Sequence, residues 1–210
     1  MPKIDHEARK SQIVAESIRL FAKFGYGMVN FGMIARRVGI ARTLLYPYFK
    51  NKRAIFNAAI TGVTSRVEAK CAEVIRSRQS ADAKLRQICI AVLAMLFDNR
   101  DFVCVVADVL AGYRRKGAIP EDRVDAHTAG VKRILRSLAR EAIRRGEYDR
   151  RANPVRTAQV LYSLFEAAAM RMAITGRAEL SDFIDQLDAI LFALRAPVAS
   201  IPAAAPAREA

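Results

Sequence analysis

Between Arg42 and Lys52 the chain reads RTLLYPYFKNK, which places a guanidinium, a hydroxyl, two phenols and two ammonium groups within eleven residues. Side chains of these types suit recognition of a polyanion. A guanidinium matches the acceptor pair on a guanine edge, a threonine hydroxyl serves several bases, and an apolar side chain such as Leu44 can touch a thymine methyl. Tyr46 and Tyr48 can donate to phosphate oxygens from the edge of a groove, while Lys50 and Lys52 can neutralise phosphates. Lys52 falls in the first turn of a following helix, whose free N–H groups add to an anion site. Arg36, upstream, is a further phosphate candidate. Each group also has a plainer use. The tyrosine rings can cap a small core with their hydroxyls wetted, and Arg36 with Arg37 can form a solvated face.

Such groups need a short helix that enters a major groove about 12 Å wide, N-terminal residues first. The pattern supplies one. NFGMIARRVG predicts a helix capped by Asn30 and stopped at Gly39, which can take the positive φ of a tight turn. ARTLLYPYF predicts the inserted helix. Pro47 lacks an N–H and clashes with the preceding turn, so it ends that helix and fixes the exit angle. Gly32 costs up to about 1 kcal/mol against Ala and implies a close backbone approach.

Charge agrees with this reading. Residues 1–53 hold eleven Lys and Arg against three Asp and Glu, a net +8 out of +14 for the whole chain of 210 residues. With a pI near 10.3, the expected partner is a nucleic acid or an acidic membrane surface. No apolar run approaches the roughly 18 residues of a membrane helix. No apolar segment follows the early charges as in a signal peptide, so a cytoplasmic location is expected. Cys71, Cys89 and Cys104 have no CxxC spacing, which argues against a disulfide framework or metal site, and no cofactor is expected. There is no Ser-His-acid set, phosphate-cradling glycine loop or metal cluster, so an enzyme is not expected.

The expected fold is all-α, with nine helices and no alternating strand. A three-helix DNA-binding module, 1–56, precedes a helical ligand-binding and dimerisation module, 57–195, and a Pro/Ala-rich disordered tail, 196–210. Pro120, Asn153–Pro154 and Ser181 are expected helix starts.

The segment IVAESIRLFAKFGYGMVNFGMIARRVGIARTLLYPYFKNKRAIF resembles the TetR family of transcriptional regulators over about residues 11–56. The shared marks are the LFA…GY pair, the IA…G turn and the LY.YF.NK run. The resemblance implies a homodimer on a pseudo-palindromic operator in double-stranded DNA, released by a small-molecule effector. It places DNA contacts on Asn30, Arg42, Thr43, Leu44, Tyr46, Tyr48 and Lys52. Two departures concern what is read: Ala41 stands where Ser or Thr usually caps the recognition helix, and Leu44 where Thr is common. The other class that fits the charge is a nonspecific nucleic-acid or membrane-surface binder, which would not need this turn, short helix and large apolar second module together.

In the second module, Leu161, Leu164, Phe165, Ala168 and Met172 form one stripe. Leu180, Phe183, Ile184, Leu187, Ile190, Leu191 and Leu194 form another. Two copies of this pair can make a four-helix dimer interface through residues 154–175 and 181–195; alternatively the stripes cover the subunit's own core. A ligand pocket is expected between bundle helices. Its candidates in the first half of the module are Val63, Leu93, Leu96, Phe97, Phe102, Val106, Leu110 and Tyr113. Tyr162, Phe165 and Met170 are the candidates in the second half. Asp108 and Glu166 are acids in apolar surroundings, fit to orient a ligand, to face the surface or to pair with an Arg. Arg133, Arg136, Arg140 and Arg144 line one helix face, a solvated surface or a docking strip for an anionic ligand such as an acyl-CoA.

Overall fold

The computed structural model describes residues 6–115 and 121–195, with side chains described from residue 129 in the second segment. Eight α-helices follow one another: α1 His6–Phe24, α2 Phe31–Val38, α3 Lys52–Arg76, α4 Ala81–Asp98, α5 Arg100–Arg115, α6 Glu121–Arg144, α7 Pro154–Thr175 and α8 Leu180–Leu194. No strand occurs among the described residues. An isolated bridge between Tyr148 and Arg195 ties the α6–α7 turn to the end of α8.

The helix ends follow the sequence closely. Asn30, Asn51, Ser80 and Asn153 each accept a backbone N–H through the side chain, and Gly39 and Gly176 take left-handed conformations at the ends of α2 and α7. The start of α8 differs. Glu179, not Ser181, precedes the first helical residue, and it makes no side-chain cap. The expected start at Pro120 and the tail lie outside the described residues.

The largest difference is the third helix. Only a 3₁₀ turn forms, Arg42–Leu45, opened by Ala41 without a side-chain cap. The N–H groups of Tyr48 and Phe49 both turn back to the carbonyl of Leu45, at 3.0 and 2.9 Å. Pro47 has no N–H to offer Thr43, so the α-helical ladder cannot propagate through this segment.

Two apolar cores organise the chain. The first packs Ile13 and Phe21 of α1, Ile34 and Val38 of α2, Leu45, and Ile55, Phe56 and Ala59 of α3. Val105 and Val109 of α5 complete it. The second gathers α4, α6, α7 and α8 around Leu85, Ile88, Leu93, Leu135, Leu161, Phe183 and Leu187. Helix α3 contributes to both, with Val67, Cys71 and Val74 at its far end. The expected division at residue 56 therefore falls inside a continuous helix, one turn before the first core ends.

Candidate nucleic-acid interface

Leu45 is fully buried and Phe49 nearly so. These two anchors hold the 3₁₀ turn against α2, and the residues beside them face outward. Arg42, Thr43 and Leu44 are exposed, Leu44 to 54%. Tyr46 is exposed with its ring against Phe31, and half-buried Tyr48 lies against His6. Arg36, Arg42 and Lys50 are exposed and have no hydrogen-bond or ion-pair partner among the described residues. The turn thus brings together a set of unpaired cations, a hydroxyl and an apolar tip.

Arg36 and its neighbour part ways. Arg37 Nε donates to Glu16 Oε2 of α1 at 2.7 Å, and Arg19 pairs with the same carboxylate. The Arg37 hydrogen bond, with the charge of Arg19 beside it, holds the Glu16 carboxyl below its ordinary range. Arg37 therefore braces α2 on α1, while Arg36 remains free. Asn30 is exposed, but its Oδ1 accepts the N–H of Met33 at 3.1 Å. An added Cβ on Gly32 would lie 3.2 Å from that same oxygen, a tight approach that would press on the cap.

Lys52, unlike Arg42 and Lys50, is already engaged within the subunit. Its ammonium donates to the carbonyls of Tyr26, Gly27 and Val29, the last two at 3.1 and 2.8 Å, and lies over the Tyr26 ring. Burial pushes its pKa down. All three ammonium protons are committed to the loop ahead of α2, so Lys52 clamps that loop. The loop is gripped from its other side as well. Asp108 Oδ2 of α5 accepts the N–H of Tyr26 at 2.9 Å, and Gly25 beside it has a φ of +79°. Of the roles expected for Asp108, facing the surface and pairing with an Arg are both seen, since it is exposed and lies 4.0 Å from Arg115; its acceptance of an N–H from a loop 82 residues away left no local signal.

The ligand candidates separate. Leu93 and Phe165 are buried in the second core, with Leu96, Phe97 and Tyr162 packed against it. Phe102, Val106 and Tyr113 pack against the first core, and Leu110 of α5 is half-buried. Met170 is 59% exposed on α7. Val63, Phe97 and Phe102 do meet, in an open cleft of about 1050 Å³ between α1, α3 and the α4–α5 junction. Glu166 is exposed on α7.

The expected dimer stripes are corrected too. Leu161, Leu164, Phe165, Ala168 and Met172 face inward, as do Phe183, Leu187 and Leu191. They are needed to close the subunit's own core. Val160, Met170 and Ile174 of α7 and Phe192 of α8 are instead half to three-quarters exposed.

A buried-anchor turn that presents unpaired cations, packed on α1 and the short α2 and followed by a large helical bundle, matches the helix-turn-helix class of DNA-binding proteins. Comparisons with known proteins agree. The profile of the bacterial regulatory proteins, tetR family, matches residues 13–59. That of the tetracyclin repressor-like C-terminal domain matches residues 81–186. The nucleoid occlusion factor SlmA of Marinobacter nauticus is 22% identical over 72% of this chain and 74% of its own. The HTH-type transcriptional regulator BetI of Proteus mirabilis is 26% identical over 41% of this chain and 44% of its own. Among solved structures, the ketosteroid regulator KstR2 of Mycobacterium tuberculosis superposes with a TM-score of 0.73 at 13% identity, covering 93% of this chain and 98% of that one. PfmR of Thermus thermophilus gives 0.72 at 19%, covering 88% and 99%. The chain belongs to the TetR family and is a DNA-binding transcriptional regulator. Among the described residues no helix is long and apolar enough to cross a membrane.

Proposed function

We propose that the protein is a ligand-responsive repressor that binds a pseudo-palindromic operator as a homodimer and is released by a small apolar or amphipathic molecule. The observation that carries this reading is the turn at Arg42–Leu45, exposed and unpaired outward and anchored inward by Leu45. Arg42 and Thr43 read bases, Leu44 touches a thymine methyl, and Arg36, Tyr46, Tyr48 and Lys50 hold phosphates. Lys52 acts one step back, by fixing the loop that enters α2. The apolar face of Val160, Met170, Ile174 and Phe192 supports pairing of two subunits, which supplies the two half-sites.

The cleft between α1, α3 and the α4–α5 junction supports an effector site. Val14, Ile18, Val63, Phe97 and Phe102 give it apolar walls, and Asp98, Asp101 and Arg66 give it polar rims. A molecule wedged there moves α5 against α1. Asp108 on α5 then releases Tyr26, and the reading turn loses its support. Such reciprocal couplings are typically about 1–3 kcal/mol. Selection of bound genomic fragments, followed by mobility shift against scrambled competitor, tests the operator reading. Equal competition by scrambled duplex would favour the alternative, a nonspecific nucleic-acid binder.

A further inference from the structure

Helix α6 carries four arginines that the reading above leaves unused. Arg133, Arg136, Arg140 and Arg144 are all exposed, and none has a hydrogen-bond or ion-pair partner among the described residues. At 3.6 residues per turn they fall within an arc of roughly 80°, at successive rises of about 4.5, 6 and 6 Å. Leu135, Leu138, Ala139 and Ala142, on the opposite side, are buried in the second core. The orientation of the stripe is therefore fixed. Like charges three and four residues apart repel one another on a helix, so an anion that covers this row relieves that repulsion.

Nearby acids do not. Glu141 is taken by Arg145 at 2.6 Å and Asp149 by Arg151 at 3.0 Å. Glu147 is spent on the start of α4, where its carboxylate accepts the N–H groups of Ala81 and Asp82. Those contacts also locate the stripe. Helix α3, 25 residues long, spans about 37 Å from the reading module to its end just before α4. The C-terminal end of α6 lies beside that far end.

We propose that the α6 arginine row is a second contact surface for duplex DNA, remote from the helix-turn-helix. A strand backbone offers evenly spaced phosphates, and guanidinium groups bind them without base readout. A membrane-surface helix needs an apolar face turned outward, and that of α6 is inside the core. With operator on the reading turns, the row recruits a second segment of DNA.

The test isolates the row from the reading turn. In the full chain, Arg36→Glu with Arg42→Glu disables the reading edge, and anisotropy at low salt measures residual binding of a short random-sequence duplex. Residual binding is expected. Adding Arg133→Gln, Arg136→Gln, Arg140→Gln and Arg144→Gln should then weaken it on the order of tenfold or more and remove a salt slope of about 3.6 per subunit, near 0.9 per phosphate. Replacement of the same four by Lys should retain binding. If the quadruple Gln variant does not melt cooperatively, Arg136→Gln with Arg140→Gln should remove about half of that slope. The proposal is overturned if the disabled protein is folded yet binds no duplex, or if the Gln changes leave residual binding intact. Row-dependent binding to phosphatidylglycerol vesicles or polyglutamate, with none to duplex, overturns it as well. Wild-type affinity in the Arg36→Glu, Arg42→Glu protein would instead reject the reading edge, and the Gln variants would still judge the row.

Discussion

The reading edge and the α7–α8 face are both turned outward without a partner in the subunit, and they differ in kind. The edge built from Arg36, Arg42, Thr43 and Lys50 is polar and cationic; the α7–α8 face built from Val160, Met170, Ile174 and Phe192 is apolar. An unpaired cation at the surface costs little in water, and its attraction to an anion is weakened by salt. Exposed apolar side chains on two adjacent helices mark an interaction site, and salt does not screen their burial. The first surface therefore fits a partner that comes and goes, and the second a standing one. Different perturbations should break them.

The largest effect is expected at the apolar face. Ile174→Asp with Phe192→Asp places charge on the proposed pairing face, so the protein should sediment as a monomer. The residues are 73% and 74% exposed in the subunit, so the fold should remain. Loss of one half-site should cost operator affinity on the order of 10² or more, against specificity ratios of 10³–10⁷. Leu187→Asp is the contrasting change. Leu187 is fully buried, and a charge there should abolish cooperative folding. A folded monomer that keeps full operator preference would refute the pairing of half-sites through this face.

At the cationic edge, three substitutions should give three different signatures. Arg42→Ala should cost about 1–3 kcal/mol of discrimination at one base position. Lys50→Ala should weaken all duplexes and lower the salt slope by about 0.9 per subunit. Lys52→Ala should also weaken all duplexes, but with the slope unchanged, because its ammonium already serves three carbonyls. A slope loss at Lys52 equal to that at Lys50 would return Lys52 to the phosphates.

These contrasts also show what was readable from the chain. Caps and stops were legible because Asn30, Gly39, Asn51 and Asn153 act on backbone groups a few residues away. The outward residues of the turn were legible for the same reason, since Leu45 and Phe49 alternate with them locally. The true length of the recognition element was not. It depended on whether Thr43 and Ala41 could close a turn without help from Pro47. Long-range commitments were hidden as well. Lys52 looked free because its acceptors lie 23 to 26 residues upstream. On α7 periodicity set the buried Leu161 apart from the exposed Val160, but it did not tell whether the stripe of Leu161 faces the subunit's own core or a partner.

A smaller effect should appear on acidification. Glu16 braces α1 to α2 through Arg37, and its pKa is lowered in the folded protein. A lowered carboxyl pKa adds stability that is fully present above the unfolded value, about 4.3, and is lost as pH falls through the folded value. Glu16→Gln should therefore lower the melting temperature of the intact protein at neutral pH. The two proteins should converge under acid, below the folded pKa. A gap that persists unchanged there would assign the brace to packing rather than charge.

The smallest effect tests a device that both modules share. Asn30 opens α2 and Asn153 opens α7, each through its Oδ1. Two residues on, the modules differ: Gly32 in one, Val155 in the other. Asn153 receives the N–H groups of both Val155 and Arg156, at 2.9 and 3.2 Å, so a side chain at that position fits its geometry. Asn30 receives Met33 alone, and a Cβ on Gly32 would press on its oxygen at 3.2 Å. Gly32→Ala should thus fail to deliver the usual gain of up to about 1 kcal/mol and change stability by no more than about 0.5 kcal/mol. In an Asn30→Gly background the oxygen is gone, and a glycine cap costs only a few tenths of a kcal/mol. There Gly32→Ala should recover most of the gain. The coupling in this double-mutant cycle, read by denaturant unfolding, measures the contact directly. Additive changes would mean that the cap, not the glycine, yields, and that Asn30 can adopt the arrangement already present at Asn153.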